Sequence, residues 1–184
     1  MDFITISKPS ITRKDLDYVN NAMKSGWVSS LGSYIDLFEK NFAKYCNVKY
    51  AVTTSNGTTA LHLILAAYGI GKGDEVIIPD LTFIATANAV KYVDASIITV
   101  DVDKNTFSID IDCIERAITS KTKAIIPVHL YGHPAPMNEI NDLAKQYGLI
   151  VIEDAAEAHG AEVDSKRVGG LGDAGVFSFY GNKI

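Results

Sequence analysis

Short apolar runs alternate with helical segments along most of the chain, and this alternation limits the possible folds more than any other feature. The runs are rich in Val, Ile and aromatic residues: YAVTT (50–54), EVIIP (75–79), SIITVDV (96–102), KAIIPV (123–128), LIVIED (149–154) and GVFSFY (175–180). Between the first five, apolar residues recur with the spacing of an α-helix. Nearly all-apolar strands separated by helices are typical of a parallel sheet covered on both faces. The sequence therefore predicts an α/β fold with a mostly parallel sheet.

Two helices are predicted before the first of these strands. Apolar side chains recur at helical spacing within residues 12–25, where Thr12 and Asp15 are placed as a capping pair. Residues 34–46 repeat the helical pattern.

Composition and charge exclude several classes of protein. The 184 residues are 47% hydrophobic and 21% charged, which is enough to bury a core. A net charge of −5 gives no electrostatic reason to expect nucleic acid as a partner. No apolar run approaches the roughly 20 residues of a membrane span, and the N-terminus shows no signal peptide. We therefore expect a cytoplasmic protein, with Cys46 and Cys113 as buried reduced thiols.

Polar residues follow the predicted strands where each one ends. They form the segments SNGTT (55–59), DLTF (80–83), HLYGH (129–133), EDAAEAHG (153–160) and YGNK (180–183). Ligands of open parallel sheets bind outside the carboxyl ends of the strands. These segments therefore predict a functional site at one edge of the sheet.

Each of these segments also has a purely structural interpretation. SNGTT can be an ordinary helix cap or, through free backbone N–H groups, a phosphate site. It is neither a P-loop nor a GxGxxG motif, so binding of ATP or NAD is poorly supported. Asp154 can cap the next turn or act as counter-ion to a cationic ring nitrogen. Phe83 can belong to the core or offer a flat face to such a ring.

Metal binding and serine-hydrolase chemistry are disfavoured by the same segments. His129 and His133 are four residues apart, but Gly132 and Pro134 disfavour the helix that would place both on one face. No G-x-S-x-G motif is present. We therefore expect no metal site.

The predicted edge offers a phosphate-binding helix start, an aromatic face, a carboxylate and a lysine, Lys183. These are the groups that pyridoxal 5′-phosphate (PLP) requires, since its aldehyde is held by a lysine as a Schiff base.

The chain resembles the DegT/DnrJ/EryC1/StrS family of PLP-dependent sugar aminotransferases. The likeness is carried in family order by SGWVSSLGSYIDLFEKNFAKY, TSNGTTALHL, GDEVIIPDLTFIATANAV, AIIPVHLYG, VIEDAAEAHGA and GDAGVFSFYGNK. The resemblance implies PLP fold type I, the aspartate aminotransferase-like fold. It also implies that residues 1–184 are the N-terminal part of the large domain, truncated before its last strand, and that a small C-terminal domain is absent from this chain.

The resemblance assigns roles to individual residues. Lys183 matches the Schiff-base lysine that moves protons, and Asp154 matches the partner of the pyridine nitrogen. Relatives that remove a sugar hydroxyl instead carry histidine in place of this lysine, so Lys183 favours transamination. Contacts to the rest of the cofactor are implied for five residues: the stacking Phe83, Glu157 near the 3′-oxygen, and Gly57, Thr58 and Ser178 at the phosphate.

The implied reaction moves an amino group from glutamate to the C-4 ketone of a nucleotide-linked 4-keto-6-deoxysugar. A GDP-linked sugar is favoured, with dTDP- or UDP-linked sugars as alternatives, and His133 stands where glutamine is expected in GDP-specific relatives. The alternative to an enzyme is that this chain is a catalytically silent fragment or a binding module. The resemblance also implies a homodimer with shared active sites, in which the loop SGWVSSLGS (25–33) and its Trp27 suit an interface.

Overall fold

The computed structural model describes residues 9–183. Residues 1–8, where a signal peptide was sought, lie outside the described residues. The chain divides into two compact units, one holding the described residues up to Thr53 together with Tyr180–Lys183, the other holding Thr54–Phe179.

The first unit contains the two predicted helices. They are α1 (Arg13–Ser25) and α2 (Ser33–Cys46). The capping pair is confirmed: Thr12 Oγ1 accepts from the backbone N–H of Asp15, and the Asp15 carboxylate accepts from that of Thr12 at 2.7 Å. The Thr12 hydroxyl, which donates to the Asp15 carboxylate at 2.6 Å, and the Thr12 backbone N–H hold the pKa of Asp15 below its ordinary value.

The predicted strand at residues 50–54 is wrong, since this segment pairs with no strand among the described residues. The backbone N–H of Thr53 donates instead to Glu39 Oε1 of α2 at 2.7 Å, and the Thr53 hydroxyl donates to the same oxygen at 2.9 Å. A side chain therefore takes the donor that a sheet ladder would need.

The second unit alternates strands and helices, as predicted. Its strands are β1 (Glu75–Pro79), β2 (Ser96–Val100), β3 (Thr122–Ile125), β4 (Ile150–Asp154), β5 (Glu162–Val163), β6 (Lys166–Arg167) and β7 (Ala174–Val176). Its helices are α3 (Gly57–Ala67), α4 (Ile84–Tyr92), α5 (Ile111–Ala117) and α6 (Met137–Tyr147), with a 3-10 turn at Leu130–Gly132. Five strands form a parallel sheet in the order β2-β1-β3-β4-β7, and β5 pairs with β6 in an antiparallel hairpin.

Both faces of the parallel sheet are covered, because successive side chains of each strand point to opposite sides. Val76 and Ile152 belong to the core that includes residues of α3 and α4. Ile77 and Val151 belong to the core that includes residues of α5 and α6. This confirms the α/β fold with helices on both sides of a parallel sheet.

Three of the predicted strands extend beyond the C-terminal ends of the ladders that form. The run 96–102 pairs with β1 only as far as Val100. The run 123–128 pairs regularly only as far as Ile125, because Pro127 has no N–H and can only accept, from Asp154 at 2.9 Å. The run 175–180 pairs only as far as Val176. The runs 123–128 and 175–180 continue past their ladders to the sheet edge, where polar residues follow.

The cysteine prediction is half right. Cys46 is buried, whereas Cys113 is half-buried and its Sγ accepts a hydrogen bond from the Arg116 guanidinium at 3.0 Å. No helix within residues 9–183 has the length and apolar character needed to cross a membrane.

Candidate active site

Asp154, the last residue of β4, is a buried carboxylate with both oxygens hydrogen-bonded. Thr86 of α4 donates its hydroxyl to Oδ2 at 2.7 Å, and the backbone N–H of Ala156 donates to Oδ1 at 3.2 Å. The side chain therefore does cap the following turn, as its structural interpretation held. Burial of an ionised carboxylate is costly unless it is hydrogen-bonded. The two hydrogen bonds therefore support a charged Asp154 inside the fold, and buried charges of this kind are common at functional sites.

The start of α3 has the geometry of an anion site. Asn56 and Thr59 form a reciprocal capping box, in which the N–H of Thr59 donates to Asn56 Oδ1 at 2.9 Å. The N–H groups of Gly57 and Thr58, in the first turn, have no acceptor within the helix. They sit at the positive end of an 11-residue helix dipole.

Ser178, two residues beyond β7, lies beside this helix start. A Cβ placed on Gly57 would lie 3.4 Å from the Ser178 Cβ. The structure thus brings the three residues predicted at the phosphate into one place. Backbone N–H groups and a hydroxyl are the donors that a phosphate monoester needs.

Phe83 and Glu157 occupy different environments. Phe83 precedes α4 as its N-cap and is 67% exposed, so it does not belong to the core. Glu157 is half-buried and accepts from the backbone N–H of Tyr131, in the 3-10 turn, at 3.2 Å. His133, at the end of that turn, is exposed.

Lys183 belongs to the first unit, whereas the other predicted site residues belong to the second. Its backbone N–H donates to the carbonyl of Tyr180 at 2.8 Å, which closes a turn, and its side chain is half-buried. Its part in a common site stays a prediction.

A second buried carboxylate, Glu153, was not singled out from the sequence. It precedes Asp154 on β4 and points to the opposite face of the sheet. Its oxygens accept from His129 Nε2 at 3.0 Å and from the backbone N–H groups of Gly169, Leu171 and Gly172 at 2.7 to 2.8 Å. Glu153 thereby holds the loop that leads into β7.

The protonation of His129 follows from its contacts. The backbone N–H of Ala135 donates to Nδ1 at 3.0 Å, so Nδ1 carries no proton. The ring is therefore neutral, and its Nε2–H donates to Glu153. His129 had been weighed as a metal ligand, but both ring nitrogens are engaged in the fold. Within residues 9–183, no group of three or more His, Cys, Asp or Glu side chains is arranged to hold a metal.

The pH dependence of stability reflects Glu153. Burial raises its pKa, but hydrogen bonds from His129, Gly172 and Gly169 outweigh burial and leave the pKa below its ordinary 4.5. A lowered folded-state pKa gives stability that is present above about pH 4.5 and is lost as the pH falls through the folded value.

Glu153→Gln is expected to lower the free energy of unfolding at pH 7 by about 3 kcal/mol, because an amide NH₂ would oppose N–H donors in a buried site. The difference from the parent protein should stay constant from pH 7 to about pH 4.5 and shrink only below it, as the pH falls toward the lowered folded-state pKa. Urea unfolding across this range measures it, with the exposed Glu139→Gln as the matched control. Equal stability of the two variants at pH 7 would contradict the assignment.

The sequence profile of the DegT/DnrJ/EryC1/StrS aminotransferase family matches residues 9–184. The chain is 53% identical to the GDP-perosamine synthase of Escherichia coli O157:H7, over all of this chain and 50% of that protein. It is 52% identical to the dTDP-3-amino-3,6-dideoxy-alpha-D-galactopyranose transaminase of Aneurinibacillus thermoaerophilus, over 88% of this chain and 44% of that protein.

Solved structures show the same likeness. An aminotransferase from Psychrobacter cryohalolentis superposes with a TM-score of 0.93 at 40% identity, over 98% of this chain and 46% of that one. The PLP-form of a Streptococcus pneumoniae protein described as a sugar aminotransferase superposes with a TM-score of 0.91 at 31% identity, over 98% and 50%.

The chain spans about half the length of the curated relatives that it matches. Over that span, the match extends through α1 to β7 and includes every segment of the sheet edge. This chain belongs to the DegT/DnrJ/EryC1/StrS aminotransferase family.

Proposed function

We propose that this chain forms part of a PLP-dependent aminotransferase that moves the amino group of glutamate to the C-4 ketone of a nucleotide-linked 4-keto-6-deoxysugar. One observation carries the proposal. The same unit holds a buried Asp154 with a hydrogen bond to each carboxylate oxygen, and a helix start that lies beside Ser178.

The residues of this edge fit PLP. The cofactor carries a phosphate, an aromatic ring with a basic nitrogen, and an aldehyde. Gly57, Thr58 and Ser178 would hold the phosphate through N–H and O–H donors. Asp154 would keep the proton on the ring nitrogen, and Phe83, which is exposed, would cover one face of the ring. Glu157 would lie near the ring oxygen.

Bound PLP supplies an electron sink for the carbon that gains or loses the amino group. Asp154 sustains that sink, because a negative carboxylate stabilises the protonated ring nitrogen. Lys183 would hold the aldehyde carbon and move a proton between cofactor and substrate carbons, a step that needs a positioned base.

The relatives' names guide the choice of substrate. GDP-perosamine synthases at 43–53% identity support a GDP-linked 4-keto-6-deoxymannose, converted to GDP-perosamine. The dTDP-sugar transaminase at 52% identity supports a dTDP-linked sugar as the second candidate. His133, exposed at the end of the 3-10 turn, is the residue where this chain departs from the pattern expected for GDP-sugar enzymes.

The proposal is tested with the full-length protein loaded with PLP. A visible absorbance band should form, and glutamate should support amino transfer to a 4-keto-6-deoxysugar. Comparing GDP-, dTDP- and UDP-linked substrates by kcat/KM should rank the GDP-linked sugar first. A higher kcat/KM for the dTDP-linked sugar would select the second candidate. A band without transfer to any of the three would indicate a binding module.

A homodimer in the cytoplasm is part of the proposal. Trp27 lies in the loop between α1 and α2 and is 60% exposed, and nearby Val28 and Leu31 are also exposed. An exposed aromatic residue among apolar neighbours is typical of an interface anchor.

Trp27→Ala is expected to weaken association about tenfold or more and to lower activity with it, because interface tryptophans often contribute 2 kcal/mol or more. Sedimentation across a concentration series measures the association, with exposed Tyr50→Ala as the control. A stable and active monomer of the parent protein would contradict the interface.

A further inference from the structure

We propose that Thr86 and Thr82 form a directed chain of hydroxyl groups that fixes the orientation of Asp154, which makes Thr86 a positioning residue for the cofactor's ring nitrogen. This inference rests on the proposed function and deepens it. Neither threonine was singled out from the sequence.

The contacts of Thr86 are unusual for a helical threonine. A threonine within a helix commonly returns its hydroxyl to a carbonyl of the preceding turn. Thr86 is fully buried in α4, and its hydroxyl reaches across to Asp154 Oδ2, 68 residues away in sequence, at 2.7 Å. A second hydroxyl, that of Thr82, lies 2.9 Å from Thr86 Oγ1.

The direction of the hydrogen bonds that link Thr82, Thr86 and Asp154 follows from counting the available protons. An ionised carboxylate only accepts hydrogen bonds, and a hydroxyl has one proton to give. Thr86 therefore donates to Asp154 and must accept from Thr82. The other acceptor near the Thr82 hydroxyl, the carbonyl of Phe83, is farther away at 3.4 Å. The proton of Thr82 thus points toward Thr86.

The chain of hydroxyl groups limits rotation of the Asp154 carboxylate. The terminal torsion of aspartate is soft, so a single hydrogen bond would leave the carboxylate plane free to turn. Here Oδ2 is held by Thr86 of α4 and Oδ1 by Ala156, just after β4. Two anchors on opposite oxygens fix the plane in which Asp154 can meet a ring nitrogen.

The same chain connects Asp154 to the residue proposed for the face of the ring. Thr82 immediately precedes Phe83, and the backbone N–H of Thr86 donates to the Phe83 carbonyl at 3.2 Å. The first turn of α4 therefore carries both Phe83 and the anchor of Asp154. A shift of this turn would move the contact with the ring's face and the contact with its nitrogen together.

The test compares variants in the full-length holoenzyme. Thr86→Val keeps the shape of the side chain and removes the hydroxyl, whereas Thr86→Ser keeps the hydroxyl. A hydrogen bond to a charged group corresponds to roughly a tenfold to hundredfold effect. We expect Thr86→Val to lower kcat by about tenfold or more, with KM for the sugar changed less than about threefold. The pH midpoint of the visible absorbance band should also move.

Thr86→Ser should restore both the kcat and the pH midpoint. Thr82→Val should shift them in the same direction by a smaller amount, and it decides the matter if Thr86→Val does not fold. The matched control is Thr99→Val, since Thr99 is exposed on β2. An unchanged kcat and pH midpoint in a folded Thr86→Val, or in Thr82→Val where that variant must serve, would overturn the inference alone. A parent protein that forms no visible band with PLP would overturn the proposed function and this inference with it.

Discussion

Lys183→Ala is expected to abolish amino transfer, with a fall of at least about a thousandfold in kcat, because one substitution removes both the covalent holder of the cofactor and the proton carrier. The visible absorbance band should disappear or change, even though the phosphate and ring contacts of the second unit are untouched. The measurement is single-turnover amino transfer alongside the absorbance spectrum.

The position of the label identifies the lysine. Borohydride reduction of the parent holoenzyme followed by peptide mapping should place the cofactor on Lys183. The exposed Lys145→Ala, on α6, is the matched control and should keep the band and the activity. Label on any other lysine would refute the assignment.

Asp154→Asn should lower transamination by about a hundredfold or more while the protein still folds and binds PLP. Removing one preorganised electrostatic group from a buried site typically costs this much. The amide oxygen can still accept from Thr86, the shorter of the two contacts at 2.7 Å. Its NH₂ group then faces the N–H of Ala156, where the carboxylate had accepted at 3.2 Å. Charge and one anchor are lost, while the side-chain shape is kept.

Single-turnover kinetics with glutamate, together with thermal melting and PLP titration, separate these effects. The exposed Asp142→Asn, on α6, is the control for the change of charge. Near-normal turnover in Asp154→Asn would show that Asp154 acts only as the cap of the turn that Ala156 begins.

The sheet was predictable because its signal is local. The run EVIIP coincides with β1, and apolar strands between helices are enough to imply a covered parallel sheet. Residues 50–54 read equally well as a strand, but Glu39 takes the N–H of Thr53, and no local pattern reveals that competition. Pro127, in contrast, could have shortened its predicted strand from sequence alone.

The site was predictable where strand ends and helix starts define it. Gly57 and Ser178 meet as the parallel topology requires, and Asp154 ends its strand as expected. Thr86 and Glu153 were missed because their partners are distant in sequence: Thr86 serves Asp154, and Glu153 serves His129, 24 residues earlier, and the loop from Gly169. A buried hydroxyl or carboxylate is recognised only when its surroundings are known.

The two adjacent carboxylates at the end of β4 have a consequence for how the chain finds its correct alignment. Glu153 and Asp154 are each satisfied by a different set of donors on a different face of the sheet. A one-residue slip of β4 would exchange the faces and leave both charges buried without their donors. Each such mismatch costs several kcal/mol, whereas a slip of the wholly apolar residues 76–78 of β1 would leave no charge buried without a partner. Glu153 and Asp154 together therefore favour one register for the pairing of β4 with its neighbouring strands.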